Sequence, residues 1–240
     1  MNTLELLQKE KEEFIKVMKI EPNWSLKEID DYYFGVRKAF NDAFNQYARR
    51  EKKKYAKDKN DLIKPIVERL FSYFNSDDSF DKCFEDCIEH SKKILKNDTY
   101  GLAQKFTNMS FKYLYCYADA VDFEDKFKDC HMPLDKYTIK WVKFLGNETI
   151  NQRLGLINNA FSKIDESLYN DIQELITDTL NSNYHYTISF NKQASETSCI
   201  LPENKIYAEF IIWHQEKINE LHNTIKRAEG DFERLGISWI

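Results

Sequence analysis

Glycine and proline are scarce in this chain, six and four in 240 residues. A protein made of many short strands needs more of both for its turns, so barrels and sandwiches are disfavoured and a mostly helical chain is expected. Long apolar runs are also missing. The opening MNTLELLQKEKEEF has no apolar export core and no stretch is long enough to cross a bilayer, so a cytoplasmic protein without a membrane partner is expected. Cysteine is present in an odd number, five, with no CxxC pair; free thiols in a reducing compartment follow, rather than a disulfide framework. The Asn-x-Ser/Thr matches at Asn97, Asn108 and Asn147 then carry no glycosylation meaning. An excess of positive charge is lacking too: the net charge is −5, which argues against nonspecific coating of nucleic acid.

What is abundant is apolar and aromatic surface, 42% and 15% of the residues, enough to bury a sizeable core. Leu4, Leu7, Phe14, Val17 and Met18 give a first helical stripe ending near Pro22. Ile29, Tyr33, Val36, Phe40, Phe44 and Tyr47 recur at steps of three and four, predicting a helix over 25–57, with Ser25 and Glu28 as a capping box. Pro65 is expected in the first turn of the next helix, and 75–79 reads as a loop. Helices follow over 80–95, 101–117, 134–145, 150–161, 165–180 and 206–227, with a short one within 117–131 and one lone strand near 183–190. Residues 191–204 read as a loop. No repeat or Gly/Ser linker divides the chain, so we expect a single mostly helical domain, with a possible sub-division near 60.

Four groupings offer chemistry. Cys83, Cys87 and His90 share a helix face at zinc-ligand spacing, but small buried thiols explain them as well, and we assign no metal and no cofactor. Seven basic side chains in RREKKKYAKDK at 49–59, among them Arg49, Arg50, Lys52, Lys53 and Lys54, form a patch that could hold phosphates or offset a helix dipole. On 101–117, Leu102, Phe106, Met109, Tyr113 and Tyr117 make one apolar lane, while Lys105, Asn108, Lys112 and Cys116 form the opposing lane. That polar lane is either a wet stripe or the wall of a cleft. Downstream, Asp135 in HMPLD is placed to cap KYTIKWVKFL. Within YAEFIIWHQ, Glu209 and His214 offer an acid/base pair, and a core-packed helix with a satisfied histidine is the plainer expectation.

The pattern G-x-x-x-K-x-x-N-M-x-F-K at 101–112, followed by HMPLDKYTIKWV, resembles the catalytic half of helix-hairpin-helix DNA glycosylases. The resemblance covers about forty residues, 101–142. It implies a helical glycosylase-like fold, a hairpin at Gly101, Lys105 as amine nucleophile and Asp135 as the facing carboxylate. It further implies DNA contacts at Gly101, Asn108, Lys112 and the 49–59 cluster, and base stacking on Tyr113, Tyr117 or Trp213. The chain has Ala103 where the family hairpin has a second glycine, an insertion near 119–130, and no four-cysteine iron–sulfur signature. Base excision from DNA, with or without lyase activity, is the function implied. The alternative is a non-catalytic helical interaction module, in bacterial stress or phage defence, that binds a protein or nucleic acid.

Overall fold

The computed structural model describes residues 3–21, 23–51, 59–95, 99–188 and 197–234. The elements in chain order are α1 (Thr3–Met18), α2 (Ile29–Glu51), α3 (Lys59–Phe74), α4 (Phe80–Leu95), α5 (Tyr100–Tyr115), α6 (Glu124–Phe127), α7 (Lys136–Phe144), α8 (Glu148–Leu156), α9 (Glu166–Asn181), β1 (His185–Ile188), β2 (Thr197–Ile200) and α10 (Lys205–Arg234). Two 3-10 turns lie at Ala120–Phe123 and Phe161–Lys163. The mostly helical class expected from composition is what the chain adopts.

The centre of the molecule is α5. It packs against α2 on one side and α4 on another, α3 joins α2 to α4, and α9 and the second 3-10 turn close a further side. Every residue from 101 to 115 except Lys105 is buried. An amphipathic surface helix covered on one face only would leave about half of its positions open; α5 is instead surrounded. Of the polar lane read as either a wet stripe or a cleft wall, Lys105 alone is half-open, while Asn108, Lys112 and Cys116 lie in the interior. Burial pushes the Cys116 thiol up to about 12, so it stays protonated and weakly nucleophilic.

Several boundaries differ from expectation for identifiable reasons. α2 begins at Ile29 rather than Ser25. The Ser25 hydroxyl donates to Asp119 at 2.6 Å, and the Ser25 and Leu26 N–H groups are taken by Asp31 and Asp119. A carboxylate 94 residues away thus displaces the local cap. Pro65 lies well inside α3, which starts at Lys59. Val17 belongs to the first stripe by spacing but is 57% exposed. The expected lone strand is paired: β1 and β2 form an antiparallel ribbon with Tyr186 opposite Cys199, the second strand lying in a segment read as loop. α10 continues to Arg234, seven residues past its expected end.

Candidate functional site

The segment between Cys130 and Asp135 runs extended between α5 and α9, and two buried glutamines hold it as a neighbouring strand would. Gln173 of α9 donates to the Met132 carbonyl at 2.8 Å and accepts the Met132 N–H at 3.2 Å. Gln104 of α5 donates to the Leu134 carbonyl at 2.9 Å and accepts the Leu134 N–H at 3.2 Å. Gln104 also donates to the Gly101 carbonyl and accepts from Asn108, so its amide is fully used. A buried primary amide satisfies both peptide groups of an extended residue at once, which fixes the segment without a sheet.

Asp135 follows that clamp directly. Its Oδ1 accepts the N–H groups of Tyr137 at 2.8 Å and Thr138 at 3.2 Å, while its own N–H donates to the Thr138 hydroxyl at 2.8 Å. Asp135 caps α7 as the sequence led us to expect, and the return bond to Thr138 makes the cap a reciprocal capping box. Asp135 is 7% exposed, and its carboxylate cannot rotate without losing the cap. Because Gln104 adjoins Lys105 and Leu134 adjoins Asp135, the clamp also brings the lysine-bearing turn of α5 to the N-terminus of α7.

Lys105 is the half-buried exception on α5. Among the described residues it makes no ion pair, and its ammonium lies 4.6 Å from the centre of the Phe161 ring. Phe161 reaches that place because Gly101 sits one helical turn before Lys105. A Cβ at Gly101 would stand 1.9 Å from the Phe161 carbonyl oxygen. Gly101 therefore permits a close approach of the 3-10 turn, and buried there it offers no backbone surface to a phosphate.

The other expected contacts are internal. Asn108 donates to the Tyr169 hydroxyl at 2.9 Å, and Tyr169 meets His131 Nδ1 at 2.8 Å. With Asn108 as donor to the phenol oxygen, the phenol proton points to Nδ1, which leaves His131 neutral with its proton on Nε2. Burial holds that imidazole down at about 3. Lys112 has no exposed surface; its ammonium pairs with Glu209 and lies 4.2 Å from the Phe14 ring, 4.6 Å from Phe210 and 5.2 Å from Trp213. Burial pushes Glu209 up to about 6 against the pull of Lys112, with Asp135 adding to the rise and Lys105 opposing it. The charges of Lys105, Lys112 and Asp135 thus all act on one buried carboxylate.

Tyr113 and Tyr117 are buried, the first donating to Asp42 at 2.7 Å and the second to the Asp31 carbonyl at 2.6 Å while accepting from the Gly35 N–H. Neither is open to stack on a base. Trp213 is half-buried at a groove beside α1. The Glu209/His214 pair is split, since Glu209 goes to Lys112 and His214 to Glu10. Arg49 and Arg50 lie in the last turn of α2, with their side chains outside the described part, and Lys52, Lys53 and Lys54 lie outside the described residues altogether. Cys83 and Cys87 are buried while His90 is partly open, and among the described residues no three His, Cys, Asp or Glu side chains are placed to hold a metal. Gln104, Gln173, Phe161 and Tyr169 were not singled out by sequence; only the four-residue step from Gln104 to Asn108 hinted at a shared buried lane.

Comparison with protein-family models, with curated proteins and with solved structures returned no match.

Proposed function

We propose that the chain acts on DNA as a base-excising glycosylase, with Lys105 as the amine and Asp135 as the facing carboxylate. The observation that carries this reading is the Gln104–Leu134 clamp, which joins the residues next to Lys105 and Asp135 by two hydrogen bonds. A nucleophile must be exposed enough to reach its substrate and an electrostatic partner must be fixed in orientation. Lys105, half-buried over Phe161, suits the first role, and Asp135, locked in the α7 cap, suits the second.

In this reading the target nucleotide is extruded from the stack, and Asp135 stabilises positive charge developing on its sugar. The Lys105 ammonium gives a proton to the departing base, and the amine so formed attacks the anomeric carbon as the base leaves with the bonding electron pair. Opening of the sugar ring then gives a Schiff base, from which elimination cleaves the strand. Asn108 and Lys112, being internal, do not contact DNA here; they hold α5 in place.

Borohydride trapping on DNA containing an abasic site tests the lyase step. A covalent adduct is expected with the native chain and none with Lys105→Ala. Asp135→Asn keeps an N-cap of equal quality, so thermal stability should change by less than about 1 kcal/mol while base release is lost. Base release unaltered in Asp135→Asn, or no adduct with the native chain, sinks the respective half of the proposal.

A further inference from the structure

Away from Lys105 and Asp135, α1 and α10 enclose an open groove of about 230 Å³. The two helices run antiparallel here, since Phe14 meets Phe210 at 5.3 Å and Glu10 meets His214. Phe14, Phe210 and Trp213 form the floor, packed on one another and against the Lys112 ammonium beneath. Val17 lies one turn beyond Phe14 and lines one end. It is 57% exposed, so the groove leaves apolar surface in water.

Four side chains that can carry charge line the groove, and they differ in what they can offer. Glu10 is 4% exposed and closed off by His214 Nδ1. Glu13 stands on the α1 wall, open to water, where its charge is screened. Lys217 is placed otherwise. Its ammonium lies over the floor, 4.5 Å from the centre of the Trp213 ring, and among the described residues it has no carboxylate partner. A cation held beside an aromatic ring and short of an anion is the half of an ion pair that a ligand can complete. Lys217 lies two turns past Phe210 on α10, about 10 Å along its axis, and Phe14 and Val17 carry the apolar surface on in the same direction.

We propose that this groove binds a medium-chain carboxylate, its head group paired with Lys217 and its alkyl chain lying over Trp213 and Phe14 against Val17. Burial of the chain supplies the drive, by removing the aromatic floor and Val17 from water together with the chain itself. The head group sets the orientation, since a carboxylate gives Lys217 the partner it lacks, whereas an alkylammonium would stand against it with like charge. Base excision is not needed for this binding, and its failure would leave the Lys105 reading untouched.

Isothermal titration calorimetry of the full chain with decanoate, decylammonium and butyrate tests it. Saturable one-to-one binding is expected for decanoate, weaker binding for decylammonium and none for butyrate, which has the head group without the chain. Lys217→Met should weaken decanoate binding about fivefold. Val17→Asp, which sets a carboxylate in the path of the chain, should abolish it. Circular dichroism of both variants should match the native chain, because Val17 is exposed and Lys217 partly so. Decanoate should also raise the thermal midpoint, as a ligand of the folded chain does. No saturable binding of decanoate, or a midpoint lowered in the manner of a detergent, overturns the proposal. So does decanoate binding left unchanged by either variant, which would place the ligand elsewhere, and decylammonium binding as tight as decanoate would overturn the carboxylate assignment. A native chain that sediments as a dimer and is dispersed by Val17→Asp would give the groove to a second copy instead.

Discussion

Lys112 and Glu209 meet where water does not reach, inside a cage of Phe14, Phe210 and Trp213. Removing one member of a buried pair strands the other charge, while replacing both by apolar groups of similar volume removes the problem. Lys112→Met and Glu209→Gln should each cost about 3–5 kcal/mol in urea unfolding, and Lys112→Met/Glu209→Leu should recover most of that loss. Single variants as stable as the native chain would mean that the pair adds nothing. His131 supplies a pH dependence. Its folded value, about 3, lies below the ordinary 6.5, so the unfolded chain binds a proton that the folded chain refuses. Stability from this group is complete above the ordinary value and falls, at up to about 1.4 kcal/mol per pH unit, as pH drops toward the folded one. His131→Gln should therefore narrow the difference in unfolding free energy between pH 7 and pH 5 by about 2 kcal/mol. An equal difference in both proteins would refute it.

Helix periods were legible where one face meets the core and the other meets water: α4 occupies the predicted span, 80–95, and α9 matches to within a residue. The cap at Asp135 was legible because the hydrogen bonds concerned stay within three residues. α5 was legible as a helix but not as a surrounded one, since its asparagine, lysine and cysteine look like a solvent face until distant partners arrive. Those partners, Tyr169 and Glu209, are 61 and 97 residues from the side chains they satisfy. Gly101 shows the same limit: as sequence it reads as a hairpin glycine, while its neighbour in space is the Phe161 carbonyl. Gly101→Ala should force the 3-10 turn away from α5 and lower stability by about 1–3 kcal/mol despite the better helix propensity of alanine. A thermal midpoint equal to or above that of the native chain would show that the turn can yield freely.

At the scale of the whole molecule, one continuous buried cluster runs from Leu6 on α1 to Ile212 on α10, with α5 inside it. Local openings of a helix enclosed on every side must breach its neighbours as well, so the α5 amides should exchange with solvent only through global unfolding. Hydrogen exchange should rank α5 slowest; early exchange across 104–112 would contradict this enclosure. The sequence by itself determined the helical class, most helix spans and the cap at Asp135, because these rest on composition, on a short period and on hydrogen bonds between near neighbours. Only the tertiary structure decided that Asn108 and Lys112 are internal, that Lys105 alone on its helix turn stays half-open, and that Leu134 is fastened to Gln104. Each of those depends on which residues distant in the chain come to lie against α5, and burial and pairing energies, unlike helical periodicity, are set by neighbours that the local sequence does not contain.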